Sequence, residues 1–168
     1  MKESEREVVF GYLREHGIGY EVYEHPEAPT VEVAMQFWKD IPGNVSHCKN
    51  LFMRNHKGNR HYLVIMPAEK PLDIHALWER IGSTRLSFAS PERMMRYLGV
   101  TPGSVSLFGL INDADAEVEL ILDSDLASAE AVSFHPNDNT ASVVLTADAL
   151  RKYLATLRQK WCFMELPG

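Results

Sequence analysis

The stretch that most constrains this chain is Ser46-His47-Cys48-Lys49-Asn50-Leu51-Phe52-Met53-Arg54 with the returning run Tyr62-Leu63-Val64-Ile65-Met66. Polar and apolar residues alternate through Lys49, Leu51 and Met53, which predicts a strand. Asn55-His56-Lys57-Gly58-Asn59 between the two runs has turn chemistry, so together they form a β-hairpin. A hairpin this apolar belongs in the centre of a sheet. Lys49 and Asn50 sit in its first strand, where aliphatic residues would pack more easily. Periodicity alone favours a lysine whose stem runs past its neighbours to water, so other parts of the chain must say whether Lys49 has a further task.

The hairpin is embedded in alternating helices and strands. Ser4-Glu5-Arg6-Glu7 has a capping-box pattern ahead of a helix with Val8, Val9, Tyr12 and Leu13 on its apolar face. Gly17 and Gly19 stop it. Tyr20–Glu24 reads as a short strand and His25-Pro26-Glu27-Ala28-Pro29 as a rigid loop. Thr30 caps a second helix carrying Val33, Ala34, Phe37 and Trp38. Beyond the hairpin, Pro71 to Ile81 is expected to be helical and ended by Gly82, Arg85–Phe88 extended, and Ser90-Pro91 the start of a helix closing at Leu98-Gly99. Thr101–Ser104 is a turn leading into Val105–Phe108. Residues 117–123 and Ser142–Leu145 read as strands, Ser133–His135 as a short one, and Thr146 as the cap of a closing helix with Leu150, Tyr153, Leu154 and Leu157. No repeat or linker divides the chain. One α+β domain, 1–168, with a central mixed sheet is expected.

Composition limits the classes of function. With 45% hydrophobic and 24% charged residues the chain is an ordinary globule, and no apolar run reaches the roughly 20 residues of a membrane span. The polar opening Met1–Arg6 does not read as a signal peptide. Two cysteines, Cys48 in a strand and Cys162 in the tail, make no disulfide framework, and a reducing cytoplasm is the simpler expectation. A net charge of −6 argues against broad nucleic-acid binding, although a small basic pocket could still grip a few phosphates.

No hydrolase elbow, Walker loop or dinucleotide fingerprint occurs, and the seven histidines show no zinc spacing. Cys48 beside His47 and Lys49 could be drawn as an activated thiol, but strand neighbours point to opposite faces, so a buried structural cysteine is the better reading. Three separated pieces stand out: Lys49-Asn50-Leu51-Phe52, the glycine-bearing segment Pro102–Leu110, and Phe134-His135-Pro136-Asn137-Asp138-Asn139-Thr140. Glycine-containing turns let backbone N–H groups approach a carbonyl or developing oxyanion. Each piece alone is a weak signal.

In this order and spacing, together with Arg85–Ser90, Leu98–Val105 and Phe108–Asp113, they resemble a family. The chain is similar to the free-standing aminoacyl-tRNA deacylases related to the editing insertion domain of bacterial prolyl-tRNA synthetase, the YbaK/ProRS-associated family. The likeness is greatest to the ProXp-ala/PrdX branch. It covers roughly residues 45 to 155, and the flanking helices also fit. It implies a curved, partly barrel-like mixed sheet flanked by helices, and hydrolysis of the ester that links a wrong amino acid, alanine, to tRNA(Pro). A synthetase pocket that admits proline cannot exclude alanine by sterics, because a few missing methylenes are worth only about 1–3 kcal/mol. A second, smaller site supplies the missing discrimination.

The resemblance also implies roles for residues. Lys49 matches the family's essential lysine, which holds the aminoacylated 3′ end. Asn50 helps fix the substrate. Gly103 heads the family's G-x-x-x-P loop, so Ser104, Val105, Ser106 and Leu107 are implied to bind substrate. Leu107 stands where the family has proline, which bears on specificity more than on the reaction. His135 lines the amino-acid pocket. The free ribose hydroxyl of the terminal adenosine helps activate the attacking water, so Lys49 and the Gly103 loop position and stabilise, and no metal or other cofactor is expected. The implied partner is the acceptor end of tRNA(Pro) carrying alanine, with no membrane and a monomeric state; prolyl-tRNA synthetase is left open as a second partner. Candidate phosphate contacts are Lys49, Arg54, Lys57 and Arg60 around the hairpin, and Arg80, Arg85, Arg93 and Arg96 beyond it. Two alternatives stay open: a catalytically silent module that binds tRNA or a synthetase, and a small-molecule or metal-dependent hydrolase.

Overall fold

The computed structural model of the chain describes residues 4–168. Strand β2 (Val45–Arg54) and strand β3 (His61–Pro67) form the expected antiparallel hairpin, with Leu51 opposite Val64. They are the two inner strands of a mixed sheet ordered β1-β7-β6-β2-β3-β5-β8, where β1 is Glu21–Glu24, β5 Val118–Asp123, β6 Ala131–Phe134, β7 Ala141–Thr146 and β8 Trp161–Met164. The short β4 (Ser87–Phe88) pairs with the end of β2. The sheet is open, since β1 and β8 each have one strand neighbour. The mixed sheet flanked by helices that the resemblance implies is therefore present, as an open sheet.

Among the described residues five helices pack around this sheet: α1 (Glu5–Glu15), α2 (Val31–Trp38), α3 (Ile74–Arg80), α4 (Pro91–Leu98) and α5 (Ala147–Thr156). The side chains of Ser4, Thr30, Ser90 and Thr146 each accept a hydrogen bond from the amide three residues on, so each helix begins where its cap lies in the sequence. Helix α3 is shorter than the expected Pro71–Ile81 because Asp73 caps it through Ala76 N. The segment after Thr101 is not extended: Pro102–Ser104 and Leu107–Asn112 are 3-10 turns. Strand β8 was not legible as a strand in the sequence; Cys162 lies in it, exposed. No helix among the described residues is long and apolar enough to cross a membrane.

The period-two alternation of the central strands divides the apolar side chains between two cores. Phe52, Leu63, Ile65, Leu120 and Leu122 face α1, α5 and the 3-10 turns, with Phe108 and Tyr153 filling the middle. Met53, Tyr62, Val64, Met66 and Ile121 face α3. Both faces of the hairpin are covered, as an inner strand pair requires.

Helix α4 is tied to the hairpin by one guanidinium. Arg93 donates to the carbonyl of Gly58 (3.0 Å) and to His61 Nε2 (2.9 Å). Accepting from an arginine requires His61 to be neutral at Nε2. The ring is buried and lies against Phe52 and Tyr97. Burial lowers its pKa from 6.5 to about 4, and the nearby Arg93, Arg96 and Arg54 act in the same direction. The unfolded chain therefore binds a proton near pH 6.5 that the folded chain refuses until about pH 4. This contribution is whole above pH 6.5, is lost progressively as pH falls towards 4, and is constant below that. His47 shifts the same way for the same cause, burial. We expect the urea midpoint to fall between pH 7 and pH 4.5, with His61 accounting for about 1–3 kcal/mol of the loss. A His61→Gln variant should start less stable at pH 7 and show a shallower decline. An equal decline in both proteins would show that His61 is not the responsible group.

Candidate active site

Strand β2 is longer than its partners on one edge. There β6 pairs with Val45–His47, and β4 with Met53 and Arg54. Between them Cys48 to Phe52 have no strand partner on that side. Phe52 O accepts from Ala89 N on this edge, so by the alternation of strand hydrogen bonding the Asn50 N–H and C=O also point into the gap. The loop 28–31, the turn at Pro102–Val105 and His135, at the exit of β6, close around this opening. Together they enclose a cleft of ≈ 100 Å³. That is below the range of about 300–1,000 Å³ usual for drug-sized ligands and suits a much smaller group.

Lys49 and Asn50 both line the cleft. Successive strand residues point to opposite faces, but a gap in a sheet edge can be reached from both. The Lys49 ammonium donates to the main-chain carbonyl of Lys70 and is in no ion pair among the described residues. The carboxylates of this region go instead to Lys70, whose Nζ lies 2.9 Å from both Asp123 and Asp125. Those two contacts hold Lys70 charged and raise its pKa, Asp125 contributing most. The charge of Lys70 is thus compensated, whereas the Lys49 ammonium has one hydrogen bond, to a carbonyl, and no carboxylate against it among the described residues. Asn50 Oδ1 is buried and accepts no hydrogen bond from the described residues. A buried acceptor left unpaired is costly unless a ligand or water supplies the donor.

His135 forms another part of the wall. Its Nδ1 lies 2.9 Å from the carbonyl of Ala141, a pure acceptor, so Nδ1 carries the proton and Nε2 keeps a lone pair. Burial lowers its pKa; the nearby His25 acts in the same sense, and the Ala141 carbonyl opposes it. The ring is therefore a neutral hydrogen-bond acceptor at pH 7. His25 supports it edge-on at 6.2 Å and is held by Ser142 Oγ (3.0 Å) and by stacking on Phe37. On the opposite side Trp38 lines the cleft and stacks at 4.8 Å on His47, whose Nδ1 is 2.6 Å from Ser133 Oγ. Cys48 also borders the cleft, but burial pushes its thiol up to about 12, so it is no thiolate nucleophile.

The glycine turn contributes through its backbone. Ser104 N is committed to Thr101 O, whereas Gly103 N–H has no protein partner among the described residues. A Cβ at Gly103 would lie 3.1 Å from Pro29 Cα and 3.0 Å from Asn139 Nδ2, so a side chain here would have to push the 28–31 loop back by a few tenths of an ångström.

Of the residues implied by the sequence, the cleft unites Lys49, Asn50, Gly103, Val105 and His135. Ser104, Ser106 and Leu107 do not line it. Ser104 lies in a neighbouring groove with Asn137 and Asn139. Ser106 is fully buried, accepting from Phe108 N. Leu107 is a core residue whose carbonyl accepts from Tyr153 OH (3.0 Å). Its effect on the cleft can only pass through the shape of the turn. The sequence reading missed Pro29, Thr30 and Trp38 as wall residues; the paired prolines of the 25–29 loop were the available signal, since a connector seldom needs that rigidity. Several cations proposed for phosphate contact are braces. Arg54 donates to the carbonyls of Asn55 and His56, Arg93 to Gly58, and Arg80 to Glu165. Arg96 lies over the Tyr97 ring at 5.2 Å. Lys57, Arg60 and Arg85 make no side-chain hydrogen bond or ion pair among the described residues.

The model of the aminoacyl-tRNA editing domain family matches residues 25–153. The chain is 41% identical over 152 residues to the prolyl-tRNA editing protein ProX of Acetoanaerobium sticklandii, covering 90% of this chain and 92% of that one. It is 33% identical over 132 residues to the mouse (Mus musculus) prolyl-tRNA synthetase associated domain-containing protein 1, covering 76% of each. A crystal structure of a protein proposed as a trans-editing enzyme for prolyl tRNA synthetase superposes over 100% of both chains with TM-score 0.73 at 22% identity, which shows the shared fold.

The tight approach at Gly103 gives a stability test. Gly103→Ala should cost about 1–3 kcal/mol, because Pro29 backbone must move to admit the methyl group. Gly11→Ala, in the middle of α1 with open space around it, should instead gain up to about 1 kcal/mol. Urea midpoints of the two variants check both signs.

Proposed function

The chain belongs to the aminoacyl-tRNA editing domain family, and we propose that it is a trans-editing deacylase that hydrolyses alanine from mischarged tRNA(Pro). The observation that carries this reading is the meeting of Lys49, Asn50, Gly103 and His135 at one small cleft in the edge of the sheet. The cleft suits a side chain of one methyl group better than a pyrrolidine ring. The aminoacyl ester is already reactive, and the chemistry needed is the attack of water on its carbonyl followed by release of the ribose hydroxyl.

In this mechanism the Gly103 N–H, which has no protein partner among the described residues, is a donor for the substrate carbonyl and for the oxyanion that develops on it. Lys49 holds the 3′ end through its uncompensated charge, and Asn50 Oδ1 takes a donor from the aminoacyl group or the terminal ribose. Neutral His135 offers Nε2 as an acceptor that orients the substrate. The water is activated by the free hydroxyl of the terminal ribose, so neither His135 nor Cys48 is assigned as base or nucleophile. These groups act by fixing geometry before reaction, where most of their effect on the rate originates. The unpaired Lys57, Arg60 and Arg85 are the candidates for contact with acceptor-end phosphates. Leu107, standing in the place of the family's proline, tunes the turn and with it the preference among small amino acids. In this reading the protein works in the cytoplasm, alone or beside prolyl-tRNA synthetase.

The test is deacylation of tRNA(Pro) charged in turn with alanine, serine, cysteine or proline. Alanine should be released and proline spared. Lys49→Ala should slow release about 100-fold or more while its circular dichroism stays that of the wild type, since Lys49 makes only one internal hydrogen bond. Full turnover by Lys49→Ala would refute the mechanism. Binding of aminoacyl-tRNA without loss of any amino acid would make the chain a catalytically silent module, and release of another amino acid would move the specificity while keeping the enzyme.

A further inference from the structure

The two outer edges of the sheet differ in chemistry. β1 ends in glutamates, Glu21 and Glu24, both exposed. Two such strands laid antiparallel would bring like charges together, which is a common guard against edge pairing. β8 has no such guard. Its four residues are Trp161-Cys162-Phe163-Met164, and among them Trp161 is 37% exposed and Cys162 is exposed.

The hydrogen bonds of β8 are set by its parallel pairing with β5. Leu120 N donates to Lys160 O, and Leu120 is in register with Trp161. In a parallel ladder this turns the main-chain groups of Cys162 towards β5 and those of Trp161 and Phe163 outward. The outward groups have no partner among the described residues. A two-fold axis through Cys162 would then pair Trp161 of one chain with Phe163 of a second, and the reverse, so that each pair exchanges two hydrogen bonds. The rings of Trp161 and Phe163 already meet edge to face at 5.8 Å, and the two-fold would join them to the same pair of the other copy. The strand is flanked by Lys160 before it and Glu165 after it. Antiparallel pairing sets each lysine at the end where the other copy has its glutamate; parallel pairing would match like with like.

From this self-complementarity we infer that β8 is an interface between two copies of this chain, which pair edge to edge as antiparallel strands about Cys162. The two sheets become one, and the interface is isologous, as two-fold dimers are. Strand β8 is separated from β2 by β5 and β3, so both clefts remain open. Because each strand has four residues, the association is weak and depends on concentration. In this register Cys162 faces its own copy across a non-hydrogen-bonded pair, with Cα atoms about 4.5 Å apart, inside the range a disulfide spans.

Sedimentation velocity of the full chain with reductant, from about 10 µM to 1 mM, should show the mass rising from that of one chain to that of two. Diamide should then join Cys162 to Cys162 of the second copy, the two thiols giving up two hydrogens to the diazene. Peptide mapping identifies the bridge; buried Cys48 should not react, and Cys162→Ser should abolish the bridge. Phe163→Pro removes an outward N–H without touching the bonds to β5, and Trp161→Lys introduces the missing edge charge. Each should return the protein to a single chain, and Trp161→Lys serves should the proline variant fail to fold. A single chain throughout the concentration range would overturn the inference. So would a dimer that survives both variants and yields no Cys162 bridge.

Discussion

The rest of the structure depends on an incompletely paired strand. Strand β2 is hydrogen-bonded along one side to β3, but on the other β6 and β4 leave the middle, around Asn50, without a strand partner. Unpaired main-chain groups inside a protein are costly and must be met by something. Here the 28–31 loop, the Pro102 turn and His135 come up to the opening without sealing it. The cleft is thus a consequence of sheet topology. It places main-chain donors and acceptors beside Lys49 and Asn50, on a strand held rigid by cores on both faces.

Charge is partitioned around that opening. Asp123, fully buried, and Asp125 neutralise Lys70, and the Lys70 carbonyl in turn orients Lys49. Two lysines near one another thus differ in their pairing, one held by two carboxylates and one by a single carbonyl. In a chain of net charge −6, such local arrangement matters more than the overall balance. Arg54, Arg80 and Arg93 are spent on carbonyls, which leaves a few cations for an anionic partner.

Legibility in the sequence followed the range of the interactions. Lys49 could be picked out because a charged residue in an apolar inner strand asks for a reason, and His135 and Gly103 through a resemblance spread over several blocks. The companions of Gly103 were less well read. Ser106 and Leu107 adjoin it in sequence, but the turn carries them into the core, where Ser106 caps Phe108 N and Leu107 bonds Tyr153. Trp38 and Pro29 reach the cleft from a segment read only as loop and helix.

What the sequence by itself determined was local: the central hairpin with its turn, and the helix starts at Ser4, Thr30, Ser90 and Thr146, each made by a bond spanning three residues. Alternation also decided which hairpin residues face which core. The tertiary structure alone decided that β6 lies parallel to β2, through pairs such as His47 with Ser133, and that the tail adds β8 to the sheet. It also decided that Lys49 and Asn50, neighbours on one strand, both line a single cleft. Periodicity reports which side chains seek burial, whereas the partner of each strand edge is chosen by backbone hydrogen bonds between segments far apart in the chain. The gap that forms the site exists only once those partners are in place.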